Sequence, residues 1–286
     1  MKKILKMIII ICIVVNLSGC LKKDNYENIT IYTTVYPIEY ISKYLYEEYS
    51  EISSIYPVGT NINEYVISSK KLNNYSKGDL FIYNGLSNEK SIAASLLNKN
   101  KKMDIIDVSQ GLEINSDVTE LWLSPSNFLM MMTNIKNNLK EYITNNSILS
   151  DIDLKYEDLK LKISEIDAEL NLIADNAVNK KIIVANNSFK FLEKYGFEVI
   201  SISSEDEKSN TNISKAQKYF SSKENTDLFT LSSTEETDTI KDLKDKGATI
   251  LSISNMLTLT EEEAKNKLDY LDFLKSFVDL IKKEVY

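Results

Sequence analysis

Short runs of β-branched and aromatic residues recur along this chain, separated by longer stretches with helical spacing of apolar positions. Ile29-Thr30-Ile31-Tyr32-Thr33-Thr34 is the first run, and Pro37 behind it suits the first turn of a helix reaching about Glu48. Residues 51–56 give a second strand, broken by Pro57-Val58-Gly59. Residues 79–83 give a third, stopped by Asn84-Gly85, and residues 103–108 a fourth. Strands alternating with helical stretches predict βαβ units and a mostly parallel sheet.

The pattern then changes. Leu159, Ile163, Ile166, Leu170, Ile173 and Ala177 recur at alternating spacings of four and three, with no Gly or Pro among them. That places one apolar stripe along a single helix over residues 151–178, roughly 40 Å long at 1.5 Å per residue. Its polar faces argue against burial on all sides. A helix connecting two lobes fits better than a coiled-coil partner. Beyond it the alternation resumes, with strands expected at residues 181–185, 197–202, 227–231 and 248–253. A helix after the first of these should stop at Gly196, a natural left-handed cap. Further helices are expected before Gly247 and over residues 261–284. Two α/β lobes imply a cleft between them, near strand ends, where ligands commonly bind.

The start of the chain is of another kind. Lys2, Lys3 and Lys6 precede an apolar run from Met7 to Val15, and the segment closes with Leu17-Ser18-Gly19-Cys20. A basic start, a short apolar middle and a small-residue end describe a cleaved export signal. The run is about half the ~20 residues a spanning helix needs. The chain thus divides into an export signal (1–19), a polar tether (20–28), an N-terminal α/β lobe (29–150), the connecting helix (151–178) and a C-terminal α/β lobe (179–286).

Composition narrows the chemistry. Removing Lys2, Lys3 and Lys6 takes the formal charge from −8 to −11. Such an acidic chain excludes nucleic acid as a partner, because phosphate binding needs clustered Lys and Arg. There is no arginine and no histidine, and Cys20 and Cys12 are the only cysteines. Ser-His-Asp and Cys-His catalysis therefore lack their usual residues, and so do the nitrogen and sulfur sites that dominate zinc binding. Nothing positive points to an enzyme.

Several pieces, taken together, identify a family. The leucine-serine-glycine-cysteine ending resembles the bacterial lipoprotein signal, in which the cysteine is diacylated and becomes the first mature residue. Tyr56-Pro57-Val58-Gly59-Thr60-Asn61-Ile62-Asn63-Glu64-Tyr65 resembles the signature loop of zinc- and manganese-type solute-binding proteins of ABC transporters. The similarity continues through Asp79-Leu80-Phe81-Ile82-Tyr83-Asn84-Gly85-Leu86, Leu121-Trp122-Leu123-Ser124-Pro125 and Val184-Ala185-Asn186-Asn187-Ser188-Phe189, in family order.

The resemblance implies a site between the lobes with one metal ligand from each of four loops. The first, usually a histidine two residues before the tyrosine, is here Asn63. The second, a histidine two residues before the tryptophan, is Glu120. The third aligns with Asn186, and the fourth falls at Ser254 or Asn255. All the expected histidines are absent. Each position also has a purely structural reading: Asn63 and Asn186 as turn residues, Glu120 as a solvated carboxylate, Trp122 as lobe packing. The acidic run Glu205-Asp206-Glu207 would contribute if its loop faced the cleft. Oxygen ligands suit hard divalent cations, so tight zinc binding is not expected. What the resemblance implies is a monomeric lipoprotein on the outer face of the cell membrane, held in the bilayer through Cys20. It presents a ligand, with a divalent metal ion as the family's cargo, to an ABC permease. The other open reading is a member with a lost site, serving as an accessory, adhesion or interaction lipoprotein.

Overall fold

The computed structural model describes residues 27–112 and 118–286. The export signal, Cys20 and most of the tether lie outside the described residues.

Four short strands build the N-terminal sheet: β1 Ile29–Thr33, β2 Ser50–Ser54, β3 Leu80–Tyr83 and β4 Asp104–Asp107. They pair in the order β2-β1-β3-β4, all parallel, with Ile31 beside both Ile52 and Leu80 and Ile82 beside Ile106. The crossovers are α1 (Tyr36–Tyr46), α2 (Ser69–Tyr75) and α3 (Glu89–Lys99). Two helices then run back to back: α4 (Pro125–Tyr142) and α5 (Asn146–Asn176). The C-terminal sheet repeats the first topology. Its strands β5 (Lys181–Val184), β6 (Glu198–Ser201), β7 (Asp227–Leu231) and β8 (Thr249–Ile253) pair as β6-β5-β7-β8, again all parallel. The helices α6 (Ser209–Ser222), α7 (Asp238–Asp245), α8 (Glu261–Lys265) and α9 (Tyr270–Val285) complete the fold.

The inner strands β3, β5 and β7 are buried on both faces, as strands of a parallel sheet are where helices cover it. Side chains alternate across a strand, so Leu80 and Ile82 enter one core while Phe81 and Tyr83 enter another. Ile182 and Val184 on β5 divide from Ile183 in the same way. The inner faces of both sheets share one apolar cluster with α4, α5 and α9, and each outer face has a smaller cluster of its own. The lobes are thus fused through a common core. Along α5, Ile148, Ile152, Leu159, Ile163, Leu170 and Ile173 are buried in it. At 1.5 Å per residue this helix of 31 residues is about 46 Å long.

Three local differences from the expected elements have physical causes. The helix expected before Gly196 is a 3-10 segment, Asn187–Tyr195, although Gly196 does take the left-handed conformation at φ 93°. Asn187 and Ser188 are buried at its start and tied to other elements, Asn187 Oδ1 accepting from Ser201 Oγ and Ser188 Oγ donating to Glu120 Oε2. The single helix expected over 261–284 is two. Lys267 turns at φ 56°, and Asp269 opens α9 with a capping box to Asp272. The connecting helix also begins earlier than expected, because Asn145 caps it through the Ser147 N–H.

Candidate functional site

The strand order fixes where a cleft can form. In an open parallel sheet the crevice lies at the carboxyl ends of adjacent strands whose connections leave in opposite directions, here β1/β3 and β5/β7. Val35 follows β1, Asn84 follows β3 and Ser233 follows β7, and all three line one cavity of about 380 Å³. The loop after β2 adds Tyr56, Ile62, Asn63 and Tyr65. The start of α3 adds Asn88, Glu89 and Ser91. The segment before α4 adds Thr119, Glu120 and Trp122.

Hydrogen bonds hold these pieces in place. Asn84 is the local organiser: its side-chain amide donates to the Thr119 carbonyl at 3.1 Å, and its Oδ1 accepts from the Leu86 N–H at 3.0 Å. Its own N–H donates to Glu89 Oε2 at 2.8 Å. A Cβ on Gly85 next to it would sit 1.9 Å from Asp107 Oδ2, so any larger residue must displace that carboxylate. The Gly85 N–H donates to Asp107 Oδ1 at 2.8 Å, which clamps the loop to the end of β4.

Contacts across the lobes close the back of the cleft. Ser188 Oγ donates to Glu120 Oε2 at 2.7 Å, and Trp122 Nε1 donates to the Asn255 carbonyl at 2.8 Å. Tyr36 N–H donates to the Leu257 carbonyl at 3.0 Å, and Gly59 N–H to the Leu259 carbonyl at 2.7 Å. The Tyr270 hydroxyl donates to the Trp122 carbonyl, and its ring stacks on Phe128 at 3.9 Å between centroids. Trp122, only 1% exposed, serves lobe packing while its edge reaches the cavity wall.

The structure separates the four residues singled out from sequence. Asn63 and Glu120 line the same cavity. Asn63 is exposed, and its N–H closes a turn onto Asn61 Oδ1. Asn186 is turned into its own lobe: its Oδ1 accepts from the Leu231 N–H at 3.0 Å and from Thr234 Oγ1 at 2.9 Å, and it does not line the cavity. Asn255 spends its Oδ1 on the Leu257 N–H and presents only its carbonyl to Trp122. Ser254 lies in a separate hollow against α9. Glu205, Asp206 and Glu207 line other hollows of the C-terminal lobe and not the interlobe cavity, and Asp206 is paired with Lys190 at 2.8 Å.

One residue of consequence was not among them. Glu89 is 6% exposed, at the floor of the cavity. Burial pushes its carboxyl from near 4.5 up to about 7, against the opposing pull of the hydrogen bond from the Asn84 N–H, which favours the charged form. The signal available in the sequence was its place in the first helical turn after Asn84-Gly85, where a carboxylate also suits the helix N-terminus.

Oxygen is the only donor element on this surface: two carboxylates, amides and hydroxyls. Among the described residues, no three or more of His, Cys, Asp and Glu converge in a way that could hold a metal ion. The set does not fit zinc, which favours nitrogen and sulfur in a tetrahedral arrangement. No helix among the described residues is long and apolar enough to cross a membrane.

Two parallel α/β lobes, a long connecting helix and a polar cavity at the strand ends define a two-lobed solute-binding protein. The chain belongs to the family described as zinc-uptake complex component A, periplasmic, which matches residues 31–284. Members bind zinc or manganese as cargo, work with ABC transporter permeases and are solute-binding proteins. The chain is 26% identical over 216 residues to the metal ABC transporter substrate-binding lipoprotein of Lactococcus lactis, covering 68% of each chain. It is equally 26% identical, over 219 residues, to the manganese ABC transporter substrate-binding lipoprotein PsaA of Streptococcus mitis, covering 68% of this chain and 70% of the other. In fold it is similar to the metal-dependent lipoprotein YcdH of Bacillus subtilis, with a TM-score of 0.75 at 18% identity over 90% of this chain and 99% of the other.

Proposed function

We propose that this protein is a monomeric extracytoplasmic lipoprotein, anchored through Cys20, that captures a solute in the interlobe cavity and hands it to an ABC permease. We further propose that it does so without the tight zinc capture of a nitrogen- and sulfur-ligated site. The observation that carries the reading is the cavity itself. It opens at the β1/β3 switch point of the N-terminal sheet, with Asn63 and Glu120 on its wall, and takes in Ser233 and Leu257 of the C-terminal lobe, yet every donor on it is oxygen. Of the family's ligand positions, Asn63 and Glu120 face the solute, while Asn186 and Asn255 act as supports of the C-terminal lobe. The names of the relatives, lipoproteins of ABC transporters, support the anchor and the location.

The test is native mass spectrometry of the full chain extracted from membranes in a nonionic detergent, followed by calorimetry with zinc. One stoichiometric solute per chain and no submicromolar zinc isotherm are expected. A 1:1 submicromolar zinc isotherm would show that the donor set has been misjudged. The absence of any solute, natural or added, would favour an accessory or interaction role instead.

A further inference from the structure

The cavity is much larger than an ion requires. A bare divalent cation is held by six to eight oxygens at about 2.0–2.6 Å, which a pocket of one or two water volumes satisfies. Here about 380 Å³ is open, the room of about a dozen waters at about 30 Å³ each and within the range of organic-ligand pockets.

Its charge is one-sided. Glu89 lies on the floor and Glu120 on the wall, and no lysine is among the lining residues. With no arginine and no histidine in the chain, no cationic side chain of this lining can pair with an anionic solute. The carboxylates are also built in. Glu89 is fixed through Oε2 by the Asn84 N–H, and Glu120 through Oε2 by the Ser188 hydroxyl. Fixed acceptors of this kind give a donor group on the solute a defined place to dock.

Aromatic rings supply the rest of the wall. Tyr56 and Tyr65 meet edge to face, with centroids 5.8 Å apart and planes at 77°. Both line the cavity, so two ring surfaces at nearly right angles bound the space near Glu89. A ring face attracts a cation and packs the carbon skeleton behind it; the Tyr65 ring already has Lys71 Nζ 4.9 Å from its centroid, which leaves the cation-binding part to Tyr56 and the packing part to both rings. The hydroxyls and amides of Ser87, Asn88, Ser91 and Asn63 complete a rim able to bind further polar groups.

Resting on the reading of this cavity as the solute site, we propose that its ligand is a small organic cation, an ammonium-bearing solute rather than a bare metal ion. Its charged group is held by Glu89 and Glu120, and its carbon body by Tyr56 and Tyr65.

Calorimetry of the full chain tests this with four named probes: putrescine, choline, manganese chloride and sodium glutamate, each up to millimolar concentration. One of the two organic cations is expected to bind 1:1 and raise the unfolding temperature, while glutamate does neither. Glu89→Gln and Glu120→Gln should each weaken that binding about 10- to 100-fold, because each replaces a charge-assisted hydrogen bond by a neutral one. Both variants keep an oxygen acceptor for Asn84 and Ser188, so folding should survive. Should one fail to fold, the other carries the test. Tight 1:1 manganese binding without organic-cation binding overturns the proposal and leaves the solute-binding reading standing. Binding by none of the probes overturns the proposal, and an empty cavity in native mass spectrometry as well would take the solute-binding reading with it. Organic-cation binding unaffected by both substitutions also overturns it.

Discussion

Glu89→Gln should reverse a cost that the fold carries at neutral pH. In the unfolded chain this carboxyl ionises near 4.5; in the folded protein burial holds it to about 7. The folded state therefore keeps a proton that the unfolded state releases across that interval, and stability falls as pH rises. Below about pH 4.5 both states are protonated and the cost is absent. Above about pH 7 both are ionised and the cost is complete. At about 1.4 kcal/mol per pH unit, the interval corresponds to on the order of 3 kcal/mol. Glutamine keeps an oxygen for the Asn84 N–H and never ionises, so the variant escapes the cost.

The informative quantity is the difference between the two proteins, because every other titrating group is common to both. Unfolding followed by circular dichroism in urea, at pH 5 and again at pH 8, measures it directly. The variant should gain on the parent by roughly 2–3 kcal/mol between those conditions. In a thermal scan the same gain corresponds to roughly 4–12 °C, since about 1 kcal/mol shifts a domain of this size by about 2–4 °C. A difference that stays constant from pH 5 to pH 8 would refute the burial argument. A variant that loses ground as pH rises would show that the ionised carboxylate is the favoured native form.

Two further substitutions probe the frame around the cavity. Gly85→Ala must push a methyl group into the Asp107 carboxylate that accepts the Gly85 N–H, and it should destabilise the chain by about 1–3 kcal/mol in urea unfolding. An unchanged midpoint would mean that the loop shifts freely. Trp122→Phe removes the indole donor to the Asn255 carbonyl while keeping an aromatic ring. It should cost about 1–3 kcal/mol and raise hydrogen exchange in both lobes near residues 122 and 255; a change confined to the N-terminal lobe would refute its bridging role.

Most of the architecture could be read from periodicity because the fold depends on it at every level. Burial on both faces makes β3 and Ile182-Ile183-Val184 of β5 continuous apolar runs, and the four-three spacing of α5 is the same stripe that packs on α4 and α9. The break between α8 and α9 was illegible for a specific reason. Apolar spacing resumes in phase at Tyr270 and Leu271, and only the reciprocal bonds of Asp269 and Asp272 reveal a new helix start. Side-chain capping leaves no trace in hydrophobic periodicity.

Of the four candidate positions, the sequence placed two on one cavity, and it said much less about how each side chain is used. Loop motifs brought Asn63 and Glu120 to one cavity, but a motif cannot show which way an amide turns. Asn186 occupies the expected loop and still spends its oxygen on Leu231 and Thr234 of its own lobe. Where a ligand residue would have to face the cleft, asparagine can satisfy the local backbone instead, and the fold gains a brace by the exchange. Glu89 shows the converse. As a surface carboxylate in a first helical turn it would be one of many, and only the sheet order, which lowers Asn84 and the start of α3 into the crevice, buries it. A buried acid without a basic partner costs stability in the absence of a ligand, and a cationic solute is the group that would offset that cost. The same residue therefore links the stability of this protein to the sign of charge its cleft accepts.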